Sequence, residues 1–477
     1  TQPYGRIIMN NFDVVIIGGG ITGLSAAYRL VQQAPHLKIG LFEASNRLGG
    51  KIQTERVDGF LFEAGADSFL SRKPAGVNLC TEMGVEGDLI GRLPLPHVNS
   101  HRAWVKRHGK LHPLPEGLTG LIPTNLNALQ TTTLLSAEGK LRIAQEPQLA
   151  AGDMSTDESV GSFISHRLGR EAYENIVEPL MSGIYAADGD QLSILSTFPA
   201  LRTIVEKQGS LIGGLNRMQP AQPNLDELPP FVSFANGMET LTDFIVAQIK
   251  GVEIVMNRPV KSLTQDVSAG DWSIKTKEQG DITAKAIIVT TPANVNAHLL
   301  KNADIQLAQA MGEIPFTGTV LVNVGINESD LELPEGYGYV IPRVEQRNVL
   351  ACTWSSEKWP NRAPLGKRLV RVYIGRYGQD DVCAMSDEGL IEIARQELIK
   401  TLGLADDAKL LFNKVHRWPA GLPQYNLGHQ ERLAVIEERL KHIPRLAIAG
   451  ASYRGVGIPD CIKSADSAVA KILATIA

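Results

Sequence analysis

Residues 11–23 read Asn-Phe-Asp-Val-Val-Ile-Ile-Gly-Gly-Gly-Ile-Thr-Gly, and the fold follows from this stretch. Asn11 to Ile17 is short, apolar and rich in β-branched residues, which suits a strand buried in a parallel sheet. Gly18 allows a tight turn, Gly20 lets backbone approach a pyrophosphate, and Gly23 lets a following helix pack closely on the strand. Leu24, Ala26, Ala27, Leu30 and Val31 then recur at helical spacing. A second apolar run, Lys38 to Phe42, ends in Glu43, 20 residues beyond Gly23. Strand, glycine turn, helix, strand and acid make one βαβ unit of an α/β fold. The helix start offers free N–H groups and about half a positive charge to phosphates. Glu43 stands where a carboxylate can accept from ribose hydroxyls, which fits NAD or FAD better than NADP.

The rest of the composition bounds the reading. The chain has 477 residues, a prior of roughly three domains or lobes at about 150 residues each. Hydrophobic residues at 43% and charged ones at 21% exclude wholesale disorder. A net charge of -4 argues against a chain that neutralises nucleic-acid phosphates. Cys80, Cys352, Cys383 and Cys461 form no CxxC, so neither a zinc site nor a disulfide scaffold is signalled, and no metal ligand is named. No run reaches a spanning helix and no signal-peptide profile opens the chain, so the expectation is a cytoplasmic protein, at most held to a membrane surface. Thr1 to Ile8, ahead of Met9, are set aside.

Working outward, Leu95 to Gln148 is basic and carries His97, His101, His108 and His112. Within it, Gly117 to Ala137 has no charged residue and reads as a helix packed inside a lobe, or as a membrane- or substrate-facing surface. The histidine pairs and the cations, among them Arg102, Lys106 and Arg107, read as a solvated basic surface. Gln208 to Pro230 reads as an irregular connector. Strands are predicted at 231–234, 252–255, 260–263, 272–275 and 286–289, then at 318–324, 338–342, 348–353 and 368–374, the later ones antiparallel. Helices are predicted at 239–249, 388–402 and 459–477, the last following a strand and glycine turn at Ala447 to Ser452.

Beyond Glu43 the chain runs Ala44-Ser45-Asn46-Arg47-Leu48-Gly49-Gly50-Lys51, and Arg-x-Gly-Gly offers a second close-backbone site with a cation for phosphate. Gly59 to Phe69 follows as an apolar strand bearing Gly65, where backbone could approach a flat ring. With the glycine turn, these motifs resemble the FAD-dependent amine-oxidase superfamily. Within it, Gly49 to Thr54, Asp67 to Leu70, Glu178 to Ala186, Ser196 to Pro199, Cys352 to Trp354, Lys358 to Pro360, Leu422 to Tyr425 and Gly455 to Ile462 are similar to the protoporphyrinogen and coproporphyrinogen oxidases of haem synthesis, especially the soluble Gram-positive type. Two positions depart from that pattern: Ala66 where proline is expected, and Ala187 where glycine is usual.

The resemblance implies a discontinuous Rossmann-like FAD domain (11–72, 228–298, 410–477), an α+β substrate domain with an antiparallel sheet (73–94, 205–227, 299–409) and an inserted helical, membrane-binding-like lobe (95–204). It implies removal of six electrons from a porphyrinogen in three steps, with oxygen as final acceptor giving peroxide. Because the flavin carries the redox chemistry, no catalytic side chain is named. Cofactor contacts carry over to Gly18, Gly20, Ile21, Thr22 and Gly23 at the pyrophosphate, Glu43 and Ala44 at the ribose, and Arg47, Gly50 and Lys51 near phosphate or ribityl. Gly65, Ala66, Asp67 and Ser68 fall near the ring, Val260 at the adenine, and Gly450, Val456, Gly457 and Ile458 over the pyrimidine end. Trp418 falls near the flavin or is a core aromatic. For a flat, apolar substrate edged with propionates, Arg72 and Lys73 are rim candidates or a solvated pair, and Ile184, Tyr185 and Phe316 are ring walls or core. Coproporphyrinogen III is favoured over protoporphyrinogen IX by resemblance. An amine oxidase would need an aromatic pair at the flavin, where only Tyr453 stands. A non-catalytic FAD-bound protein is separated only by assay.

Overall fold

β1 (Asn11–Ile17) lies parallel between β2 (Ile39–Phe42) and the strand Ile282–Val289. This comes from a computed structural model that describes residues 11–94, 103–152, 154–218, 228–266, 270–277 and 282–476. The expectations on Thr1 to Ile8, on His97, His101 and Arg102, and on residues 219–227 of the connector lie outside the described residues.

β2 pairs in parallel with Val252–Val255, and Ile282–Val289 pairs in parallel with Leu446–Ile448. Trp272–Thr276 and Val260–Gln265 continue this seven-stranded sheet as an antiparallel meander. The period of two along β1 divides the core: Val14 and Ile16 pack under α1 (Ile21–Gln33) and the C-terminal helix Ile458–Ile476. Val15 and Ile17 pack on the other face, with Ala293–Leu300, Ile305–Gly312 and His429–Lys441. Both faces are covered, so these strands are continuous apolar runs. The chain leaves β1 towards one neighbour and reaches the other from a distant segment, which makes the carboxyl end of β1 a topological switch point.

A second seven-stranded sheet orders Phe412–Pro423, Phe316–Asn327, Lys367–Ile374, Val349–Trp354, Gly338–Val340, Trp104–Arg107 and Lys110–Pro113. Only the pairing of Gly338–Val340 with Trp104–Arg107 is parallel. The strand Phe231–Phe234 joins neither sheet and pairs with Phe69–Leu70 and Leu89–Ile90.

Three expectations are corrected. Gly117 to Ala137, expected to hold a packed helix interrupted at Pro123, is mostly non-helical: Leu118–Thr119 and Ile122–Pro123 form a small hairpin, and a single helical turn, Leu126–Leu129 capped by Asn125, lies before the helix that opens at Ala137. Gly117 and Gly120 take φ +72° and +63°, and Pro123 adds a second break, so a helix cannot run through. The connector contains the helix Leu211–Met218, whose glycines serve packing: a Cβ on Gly214 would lie 2.3 Å from Ile204 Cγ2. Glu146 accepts from Leu211 N–H, Ile212 N–H and the Ser210 hydroxyl at that helix start. Third, the basic segment is not simply a solvated face. Lys106 is buried and donates to Glu397 Oε1 at 2.7 Å, while Arg107 pairs with Glu345. His108 lies in the turn of a hairpin at φ +50° and His112 on its second strand, so their spacing of four does not place them together on a helix face.

No described helix is long and apolar enough to cross a membrane.

Candidate flavin site

Three parallel strands end side by side. β1 runs into Gly18, β2 into Glu43, and Ile282–Val289 into Thr290, whose hydroxyl donates to Ile17 O and Gly18 O. Gly18 has φ +105°, and a Cβ on Gly23 would stand 1.9 Å from Gly18 O, so neither accepts a side chain. α1 starts at Gly20 with no side-chain cap and no acidic residue in its first turn, leaving its first N–H groups for a ligand. Gly49 N–H donates to Gly19 O at 2.8 Å, which brings the second glycine pair against the first. A Cβ on Gly50 would be 3.0 Å from Gly20 Cα. Bare backbone therefore lines both sides of this point.

Glu43 is held by two backbone donors, Gly19 N–H at 2.7 Å and Ser45 N–H at 2.8 Å, one on each carboxylate oxygen. Each oxygen keeps a lone pair for a further donor such as a ribose hydroxyl. Ala44 beside it is exposed, and Asn257 and Arg258 donate to Ser45 O and Glu43 O, which brings the approach to Val260 alongside. An uncapped helix start, a side-chain-free cradle and a fixed carboxylate fit a dinucleotide.

Arg47 braces the turn. Its guanidinium donates to the carbonyls of Leu48, Gly50 and Ile52. Lys51 donates to Gly421 O at 2.5 Å; burial by surrounding protein lowers its ammonium pKa, though its surface stays open, as a side chain lining a cleft must be. Gly65 is obligatory, since a Cβ there would be 1.9 Å from Lys51 O.

The segment after Gly65 is gripped from the second sheet. Trp418 Nε1 donates to Ala64 O at 2.7 Å, and Arg371 to Gly65 O at 2.6 Å. Asp67 receives Lys358 Nζ at 2.8 Å and Trp359 Nε1 at 3.2 Å, with Arg371 at 3.3 Å and Ser68 Oγ on its other oxygen. Burial alone would raise the Asp67 carboxyl, but Lys358 and Arg371 outweigh it and hold it well below the usual range. Ala66 is exposed between these anchors.

From the C-terminal side, Gly450 at φ +122° lies near Thr22, its N–H donating to Ser464 Oγ at 3.0 Å. Val456 and Gly457 follow at half-buried positions, and Ile458, buried, opens the C-terminal helix. Ile21 is half-buried at the start of α1.

The proposed substrate residues are more dispersed. Arg72 is exposed with no partner among the described residues, and Lys73 pairs with Asp460. Ile184 is exposed on the helix Glu178–Tyr185, whereas Tyr185 is buried against Phe198 and Tyr425. Gln424 connects Tyr185 to the neighbourhood of Phe316, donating from its side chain to Tyr185 O and from its backbone to Pro315 O. The left-handed residue ending that helix is Ala186, at φ +48°; Ala187 has an ordinary φ, so its departure from glycine needs no strain. Arg371 and Arg92 were not singled out from sequence, and Lys358 only within the motif Lys358 to Pro360, without a site role. Arg371 could have been: it shares a strand face with Leu369 and Tyr373, an inward charge in an apolar alternation.

The profile of the Flavin containing amine oxidoreductase family matches residues 21–473. Coproporphyrinogen III oxidase of Bacillus subtilis is 35% identical over 96% of this chain and 97% of that protein. The chloroplastic protoporphyrinogen oxidase of Nicotiana tabacum is 29% identical over 95% and 84%. A crystal structure from Exiguobacterium sp. 255-15, provisionally named a protoporphyrinogen oxidase, superposes with a TM-score of 0.84 at 32% identity, covering 98% of this chain and 99% of that one. The chain belongs to the flavin containing amine oxidoreductase family, and FAD is the cofactor its dinucleotide site takes.

Proposed function

We propose that this chain oxidises coproporphyrinogen III to coproporphyrin III in haem biosynthesis. The observation that carries the reading is near full-length similarity, at 35% identity, to the coproporphyrinogen III oxidases of Bacillus subtilis and Staphylococcus aureus. Six electrons and six hydrogens leave the macrocycle, and three O2 become three H2O2. The bound flavin supplies the two-electron chemistry. The chain's residues hold the ring-facing segment Gly65–Ser68 in place and surround it with positive charge. Lys358 and Arg371 flank Asp67, Arg92 stacks on Phe231 and Tyr337 nearby, and Arg72 and Lys73 follow within the same stretch. That excess of cations over Asp67 and Asp460 suits four propionates better than two.

Three discontinuous segments build the first sheet, which supports a discontinuous FAD domain drawn from 11–72, 228–298 and the end of 410–477. Phe412–Pro423, Trp104–Arg107 and Lys110–Pro113 lie in the second sheet and group with the substrate unit rather than with the FAD domain and the helical lobe. The location proposed is the cytoplasm, with peripheral membrane contact at the exposed Leu141 of the lobe. The deciding experiment is anaerobic: coproporphyrinogen III should bleach the flavin absorbance faster than protoporphyrinogen IX at equal concentration. Faster bleaching by protoporphyrinogen reverses the substrate assignment, and bleaching only by an amine sinks the porphyrinogen reading. Tyr453, buried and accepting from Asn296 Nδ2 at 2.8 Å, offers no open aromatic cage for an amine.

A further inference from the structure

Tyr425 and His429 stack with ring centroids 4.3 Å apart and planes 17° from parallel, both fully buried. Their polar atoms converge on one turn. The Tyr425 hydroxyl donates to Ala451 O and accepts from Gly455 N–H at 2.8 Å. His429 Nε2 donates to Tyr453 O at 2.9 Å, which fixes the proton on that nitrogen, because a carbonyl can only accept. The turn they hold joins Gly450 to Val456, Gly457 and the start of the C-terminal helix, and its hinges Gly450 and Gly455 both have positive φ. Flexible hinges leave its geometry to outside partners.

The same pair faces the helical region. Ser193 N–H donates to Tyr425 O at 2.9 Å, Leu427 N–H to Gln191 O at 2.9 Å, and the Tyr425 ring lies 6.3 Å from that of Tyr185. His429 Nδ1 is buried without a hydrogen-bond partner, a cost that an apolar residue would avoid and that the Nε2 donor offsets.

We infer that Tyr425 and His429 are positioning residues, which lock the 451–455 turn at the flavin site and tie it to the Tyr185–Ser193 stretch. The inference rests on FAD as cofactor and on residues 450–458 meeting it; it is independent of which porphyrinogen is oxidised. Tyr425→Phe keeps the stack and removes both hydroxyl bonds. It should raise the FAD dissociation constant about tenfold and speed amide exchange at Gly455 about tenfold, with the exchange of β1 unchanged. His429→Leu should act likewise, whereas His429→Gln, whose amide can still donate, should stay within about threefold of the parent. Unchanged FAD affinity in Tyr425→Phe and His429→Leu, or an exchange increase spread evenly over the chain, overturns the inference. If the variants do not fold, the parent protein decides: Gly455 should exchange as slowly as Leu446–Ile448, and fast exchange there refutes the lock.

Discussion

Lys73 Nζ lies 2.8 and 2.6 Å from the two carboxylate oxygens of Asp460, tying the segment after Asp67–Leu70 to the first turn of the C-terminal helix. Asp460 also accepts from Gly457 N–H at 3.2 Å, so one carboxylate joins the candidate rim to the turn that precedes this helix. Half of the Lys73 side chain stays open to solvent, and such a pair contributes at most about 1 kcal/mol. Lys73 therefore keeps charge to offer a propionate. Lys73→Gln should raise KM for coproporphyrinogen about threefold to tenfold while kcat and flavin content stay within about a factor of two. Steady-state porphyrin fluorescence measures this. An unchanged KM would leave Lys73 as a brace for the helix alone.

Two glycine substitutions should separate cofactor binding from folding. A Cβ on Gly20 meets nothing closer than Gly50 Cα at 3.8 Å, so Gly20→Ala has room to fold, but its methyl group enters the phosphate cradle. A Cβ on Gly65 would sit 1.9 Å from Lys51 O, which backbone must move to relieve. The expected result is a Gly20→Ala apoprotein with thermal stability close to the parent and FAD affinity lowered tenfold or more, at about 1.4 kcal/mol per factor of ten. Gly65→Ala should lose several kcal/mol of stability as well. Calorimetry with and without FAD distinguishes the two.

The cofactor half of the site was legible because its determinants are local. Gly18 to Gly23 and Glu43 act through backbone geometry that a short stretch encodes, and the structure places them at adjoining strand ends. The strand at 368–374 was equally readable from alternation. Its Arg371 was not read as a site residue, because its meaning comes from Asp67, some 300 positions away in the chain but 3.3 Å away in space. The helix Leu211–Met218 was hidden for a related reason. Gly213 and Gly214 read locally as breakers, yet close packing on Ile204 and the distant cap from Glu146 over-ride that propensity. Lys106 likewise looked like surface charge until a strand pairing placed it beside Glu397.

Asp67 carries a different kind of prediction. Asp67→Asn preserves shape but leaves Lys358 and Arg371 facing each other without a counter-charge in a buried setting. The loss should be about 3 kcal/mol in chemical denaturation at pH 7. The Asp67 carboxyl lies well below its ordinary range, so its contribution is complete above about pH 4 and lost only as pH falls through the folded-state value. The difference between parent and variant should thus be flat from pH 5 to pH 8. A difference that collapses within that window would show that Asp67 is not held ionised by its two cations.

His429 should set the acid side of the stability profile. Burial pushes its imidazole down from 6.5 to about 4; its bond to Tyr453 O opposes that, and Arg432 and Arg454 add to it. The unfolded chain therefore binds a proton on this residue between about pH 6.5 and pH 4 when the native chain does not, and native stability falls as pH drops through that window. Above about pH 6.5 both states are neutral and the term vanishes. At roughly 1.4 kcal/mol per pH unit, the full loss by pH 4 is about 3 kcal/mol. Urea denaturation at half-unit pH steps should show this slope in the parent and a slope shallower by about one proton in His429→Gln. Parallel slopes in the two proteins would mean that His429 is already protonated in the native state, contradicting its role as a neutral donor to Tyr453.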